Sequence, residues 1–260
     1  VSWLRQHVVL VKVSIVILSY HKPLIIDVCL RSLAITEGVE YEVIVVDNES
    51  TPHTAVSLQQ HKDEGRIDTL ILEPTNLMFS GGNNVGVAAA DPSSEFIVLV
   101  NSDVGFLRGD WLSKQLAWME GTIEHRPTIW NAHPTQPSPG PKDIISCGWS
   151  HDTSIEGNAR PEGWCIVFCR AWWAEMSTDF PWLYGFEEMV AKQVRAGARC
   201  GVCFNYTLYV VHREGGSKPD TAPDIVNRRF PDLTAWFSEI KIETLDFTLG
   251  PNEHDSYLEW

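Results

Sequence analysis

Four runs of β-branched and apolar residues, each closing on polar side chains and separated from the next by a helical pattern, constrain the fold of this chain more than any other feature. Val13 to Ser19 (VSIVILS), Glu42 to Val46 (EVIVV), Asp68 to Leu72 and Phe96 to Val100 read as strands. The unbroken apolar character of the first is that of a strand covered on both faces. Pro23 opens a helix through Leu24, Val28, Leu30 and Leu33, since the N–H that proline lacks has no partner in the first helical turn. Thr54 to His61 reads as a second helix, and Gly81-Gly82-Asn83-Asn84 as a turn leading into a small-residue helix over Val85 to Ala90. Such alternation implies parallel strands joined by right-handed crossovers, an α/β fold in which ligands bind beyond the carboxyl ends of the strands.

Polar groups occupy each of those ends. Ser19-Tyr20-His21-Lys22 follows the first strand, Asp47-Asn48-Glu49-Ser50 the second, Glu73-Pro74-Thr75-Asn76 the third and Asn101-Ser102-Asp103 the fourth. An aspartate at a strand exit can simply cap the next turn. Held by a rigid apolar strand at the ligand edge, Asp103 also suits a hard divalent cation, which takes one or two carboxylates and keeps its other positions for water and substrate phosphates.

The formal net charge of −14 excludes chains that track nucleic-acid phosphates or anionic lipid through a basic surface. An anionic ligand therefore needs a local source of positive charge, which a metal ion supplies. No apolar run approaches the ~18–20 residues of a membrane span. Arg5 and Lys12 interrupt the apolar N-terminal residues, so a cytoplasmic location is expected, with peripheral contact at the inner face of the membrane left open. Reduced cysteines follow. Cys165 with Cys169 and Cys200 with Cys203 have zinc-like spacing, yet both pairs fall in strand-like segments, where a thiol behaves as a small hydrophobe.

Beyond the fourth strand, Trp111 to Met119 reads as a helix. Pro127, Pro134, Pro137, Pro139 and Pro141 then mark a stretch without regular structure. A strand around Ile166, a helix from about Glu187 to Ala196, a strand pair ending near His212 and a helix from Pro223 to Phe237 complete the reading. No linker divides the chain.

VSIVILSYHKP, YEVIVVDNEST, NLMFSGGNNVG, IVLVNSDV, LYGFEEMVAKQVRAGAR and VVHREGGS, in this order, resemble the inverting nucleotide-sugar glycosyltransferases of the GT-A fold, family 2, and look most like the rhamnosyltransferase-type branch that builds bacterial surface polysaccharides. The resemblance runs from about Val13 to Ser217. It implies a GT-A, Rossmann-like architecture with a mixed, mainly parallel sheet flanked by helices. Residues 1–260 would form one such domain, with a nucleotide-sugar-binding half over about 13–110, an acceptor-binding and catalytic half over about 111–217 and a C-terminal helical extension over 218–260.

By the same resemblance, Asn101-Ser102-Asp103 takes the place of the family's Asp-x-Asp motif, with Asp103 facing an Mn²⁺ or Mg²⁺ ion and Asn101 a neutral substitute for the first acid. His212 would complete the metal site. Ser19, Tyr20, Asp47 and Asn48 would hold the nucleoside; Asn76, Gly82, Asn83 and Asn84 would line the donor site, where small residues admit a ligand close to the backbone. Met78 stands where family members usually carry Gly. Glu188, with Glu187 second, would be the general base that takes the acceptor's proton, and Val190 replaces a further acid of the pattern. Eleven tryptophans are many for this length. Core packing explains most buried Trp, and a sugar-stacking platform is assigned to Trp164 or Trp182.

The function implied is transfer of a sugar from a UDP-, GDP- or dTDP-sugar to a hydroxyl of a glycan or lipid-linked glycan, without nucleic acid. Two rivals stand beside it: a GT-A module that binds nucleotide or carbohydrate without turnover, and a sugar nucleotidyltransferase. The latter wants a basic Gly-rich loop after the first strand, where SYHKP offers one Lys and no Gly.

Overall fold

The structure, a computed structural model, describes residues 11–119, 128–130, 144–149, 163–179, 189, 199–203 and 210–212. Elements follow in the order β1 (Lys12–Ser19), α1 (Pro23–Leu33), β2 (Glu40–Asn48), α2 (Pro52–Asp63), β3 (Thr69–Glu73), α3 (Met78–Ala88), β4 (Phe96–Asn101), β5 (Val104–Phe106), α4 (Trp111–Met119), β6 (Thr128–Trp130), β7 (Ile144–Trp149), β8 (Cys165–Cys169), β9 (Arg199–Cys203) and β10 (Val210–His212). Eight strands form one sheet in the order β3-β2-β1-β4-β8-β7-β9-β6. β3, β2, β1 and β4 are parallel, β8 is antiparallel to both β4 and β7, and β9 runs parallel to β7 and antiparallel to β6. The expected mixed, mainly parallel sheet is the one observed.

Each face of the sheet carries its own core. Ile15, Ile17, Val43, Val45, Val98 and Val100 meet Ile26, Leu30 and Leu33 of α1, Leu58 of α2 and Trp111 and Leu112 of α4. On the other face Val16, Ile44, Ile97 and Leu99 meet Val87 of α3, Phe168, Met176 and Met189. Alternate residues of one strand thus feed opposite cores, as the period of two in a strand requires. Both faces must be covered for a parallel sheet to be stable, which is why β1 is apolar at Val13 and from Ile15 to Leu18.

Three readings of the sequence are corrected. Gly81-Gly82-Asn83-Asn84 is no turn: it lies inside α3, which begins at Met78. A Cβ on Gly82 would stand 2.3 Å from Leu18 Cδ1, and one on Gly86 would stand 2.3 Å from Val16 Cγ1. These glycines let a helix backbone press onto the sheet, so contact with strands and not with ligand accounts for them. Thr128–Trp130 forms a strand among the prolines, paired with β9. β9 and β10 do not pair with each other; β10 pairs with β5 in a separate two-stranded sheet. The helix expected over Glu187 to Ala196 falls outside the described residues apart from Met189, which is helical and buried. Residues 213–260, including the helix expected at Pro223 to Phe237, also lie outside them.

The candidate donor site at the carboxyl edge of the sheet

Parallel register sets the exits of β1, β2 and β4 side by side. Ser19 is the partner of Asp47, and Leu18 is the partner of Asn101. Ser19 is fully buried and Asp47 is only 3% exposed. Burial raises the Asp47 pKa above the ordinary carboxylate value; the Ser50 hydroxyl and N–H, the Ser19 hydroxyl and the charge of His21 pull it back. Ser19 Oγ, Asp47 Oδ1 and His21 Nδ1 are nevertheless buried without a hydrogen-bond partner among the described residues. Each such atom costs about 1–3 kcal/mol when it stays unsatisfied, so the fold alone gives no reason to keep three together.

The backbone beside them is unusual as well. His21 and Lys22 have φ of 55° and 54°, Glu49 63° and Met78 59°, all in the left-handed region. These are the non-glycine residues with positive φ among those described, and all belong to segments leaving β1 or β2 or entering α3. Strained backbone collects at binding sites, where surrounding contacts over-determine it. The Ser50 hydroxyl is one such contact: it accepts the His21 N–H at 2.7 Å, tying the β1 exit to the β2 exit. Met78 occupies a conformation that suits Gly, which explains in backbone terms the residue usual at that place in the resembling sequences.

The turn after β4 carries the second acid. Asp103 is 7% exposed, and Ser102 beside it is buried. Helix α1 grips this turn from below. Cys29 Sγ donates to Asn101 O at 3.9 Å, and Ser32 Oγ accepts the Phe106 N–H at 3.1 Å. Burial, then the nearby Asp103 carboxylate, push the Cys29 thiol far up, so it stays protonated. β5 starts directly after Asp103, and its Val104 stands opposite His212 of β10. The pairing brings His212 to the residue next to Asp103 from roughly a hundred positions away in sequence. The buried carboxylate of Asp103 is a hard oxygen donor, of the kind a divalent cation takes while keeping positions for water and phosphates. Among the described residues no three His, Cys, Asp or Glu side chains gather as a metal cage.

Other candidates serve the fold. Asn48 Oδ1 accepts the Leu77 N–H at 2.9 Å and its Nδ2 donates to Met78 O at 3.0 Å, so this side chain anchors the start of α3. Asn76 Oδ1 accepts the Met78 N–H at 2.8 Å, while its own N–H donates to Glu49. Asn83 donates to Phe79 O within α3. The Asn84 amide donates to Met176 O at 2.8 Å and accepts the Met176 N–H at 2.9 Å. Trp164 is 3% exposed and packs in the first core, so its ring presents no platform to a sugar. Tyr20 is half-buried, its ring centroid 4.0 Å from that of His21. Cys165 is buried and Cys169 half-buried on β8, and neither forms a disulfide. Glu187, Glu188 and Trp182 lie outside the described residues. Sequence reasoning passed over His21, Ser50, Cys29 and Ser32 as functional candidates.

Residues 14–123 match the sequence model of a family described as Glycosyl transferase family 2. No curated protein matches the chain in sequence. Among solved structures, the mannosyltransferase PcManGT from Pyrobaculum calidifontis, in complex with GDP-Man and Mn²⁺, is similar at 16% identity and a TM-score of 0.63, over 87% of this chain. The fold is GT-A. The chain spans 63% of the length of that mannosyltransferase. TarS 1–349 of S. aureus matches at 16% identity and a TM-score of 0.55, covering 92% of this chain and 76% of its own. The same protein in complex with UDP-GlcNAc matches at 19% identity and a TM-score of 0.51, covering 84% and 64%. At these identities the likeness is one of architecture, and with the family match it supports glycosyl transfer. Among the described residues no helix is long and apolar enough to cross a membrane.

Proposed function

We propose that this chain is an inverting glycosyltransferase that moves a sugar from a nucleoside-diphosphate donor to a hydroxyl of a glycan or lipid-linked glycan. One observation carries the reading: a single sheet edge gathers the buried Asp47 and Ser19 on one side and, on the other, Asp103 next to the strand that bears His212. The neighbours' GDP-Man and UDP-GlcNAc complexes support a nucleotide sugar as donor, and the rhamnosyltransferase-like motifs put a deoxyhexose first among its sugars.

In this reading Ser19 and Asp47 hold the nucleoside, with Tyr20 beside them. Asp103 and His212 hold Mn²⁺ or Mg²⁺, which when bound supplies positive charge to a leaving diphosphate. The acidic chain has local need of it. Glu188, backed by Glu187, takes the proton of the acceptor hydroxyl as that oxygen attacks the anomeric carbon from the face opposite the diphosphate. Trp182 serves the acceptor side. Residues of about 13–110 then form the donor half and those of about 111–217 the acceptor half.

The test is transfer measured with a panel of UDP-, GDP- and dTDP-sugars. Asp103→Ala is expected to lose about 10²–10³-fold, the scale of a removed charge-stabilising group. Glu188→Gln is expected to lose about 10²–10⁴-fold, the scale of a general base. Full activity in either variant removes that residue from its role. Donor binding that is indifferent to chelator removes the metal.

A further inference from the structure

We propose that His21 is a ligand-contact residue of the nucleoside subsite, acting with Ser19 and Asp47; the inference rests on the donor reading above. One of its ring nitrogens has no hydrogen-bonding role in the fold. Nδ1 is buried and lacks a partner among the described residues, in the company of two other unpartnered atoms, Ser19 Oγ and Asp47 Oδ1. Those residues are cross-strand partners, and the charge of His21 acts on Asp47. A hydroxyl donates and accepts, a carboxylate accepts, and an imidazole nitrogen does either according to its tautomer. Together they complement the mixed donors and acceptors of a nucleoside, either a base edge or a ribose diol.

The ring is also held for the purpose. The left-handed φ of 55° at His21, the bond from its N–H to Ser50 and the contact of its ring with Tyr20 fix both backbone and side chain before any ligand arrives. A histidine serving only structure would be expected to spend Nδ1 on a hydrogen bond, as His61 does on α2: its Nε2 meets Asp27 at 3.0 Å and its Nδ1 meets Arg66 at 3.2 Å. Preorganised polar atoms of this kind raise affinity because little ordering remains to be done on binding.

The proposal predicts opposite signs for stability and affinity. In His21→Phe the unpartnered nitrogen disappears while an aromatic ring remains. The melting temperature of the ligand-free chain should hold or rise, since removing a buried unsatisfied group is neutral or stabilising. The Kd for UDP and GDP, measured by calorimetry with Mn²⁺, should weaken by about tenfold, the usual cost of one ligand hydrogen bond. His21→Gly suits the left-handed backbone and guards against a folding failure of the Phe variant; it should lose affinity by the same order. Either folded variant binding within about twofold of the parent overturns the proposal, as does a fall in melting temperature with affinity unchanged. A parent chain that binds neither these nucleotides nor dTDP overturns the donor reading, and this inference with it.

Discussion

At the amino end of β1, Ser14 Oγ bonds Glu42 Oε1 at 2.5 Å and Ser94 Oγ at 2.7 Å; at the carboxyl end of the same strand, Ser19 Oγ bonds nothing among the described residues. β2 shows the same contrast. Glu42 near its start also accepts the Asp91 N–H at 2.7 Å, whereas Asp47 near its end keeps a buried oxygen without a partner. Lys12 pairs with Asp91, and Arg170 donates to Asp91 O at 2.8 Å, so the amino edge is stitched across β1, β8 and the approach to β4. Hydroxyls and carboxylates occur at both ends. What separates them is whether the protein itself satisfies those groups. Where it does they contribute stability, and where it does not they cost it.

Substitution should pull the two edges in opposite directions. The largest effect is expected at the amino edge, where Glu42→Ala strands the Asp91 N–H and leaves Ser14 with Ser94 alone. Chemical denaturation should show a loss of about 1–3 kcal/mol, with donor affinity unchanged. At the carboxyl edge Asp47→Asn should do the reverse, raising ligand-free stability by about 1 kcal/mol near neutral pH while weakening nucleotide binding. The sign follows from burial. Because the folded chain holds the Asp47 proton more tightly than the unfolded chain does, this residue favours folding most below its ordinary pKa and progressively less as pH rises through the raised value. Melting curves of parent and variant should therefore diverge across that window and converge in acid. The smallest effect is expected for Met78→Gly, which relieves a left-handed φ of 59° and should stabilise by no more than about 1 kcal/mol. A clear loss in that variant would mean that Met78 packing outweighs its backbone strain.

The strands of the donor half were legible because a buried parallel strand leaves a run of β-branched residues that few other structures need. Pro23 marks a helix start through its own chemistry, α2 begins at Pro52 rather than at Thr54 as read, and the helix at Trp111–Met119 was read with the bounds the structure shows. Asp47 and Asp103 could be singled out because strand ends in such sheets face ligand. α3 was misread since Gly is the residue that ordinarily ends helices, and the demand of Leu18 and Val16 for close approach appears only once the helix lies on the sheet. The three-residue β5 and β6 carry too little pattern to register. Partner choice is invisible to periodicity, hence the false pairing of β9 with β10. The Asn residues at 48, 76, 83 and 84 looked like ligand groups because an amide suits a substrate and a backbone equally. His21 and Ser50 gain meaning from a left-handed backbone and a bond between two strand exits, neither of which leaves a trace in composition.

The two-stranded clip of β5 and β10 also has a consequence for how the molecule matures. It joins residues that emerge from synthesis far apart in time, and closing so long a loop is slow because its entropy must be lost before the pairing repays it. The four parallel strands and their helices can therefore consolidate first, with Asp103 in place before His212 is paired. The three-residue ladder is then a closing step of assembly, and on the proposed reading the metal site waits for it.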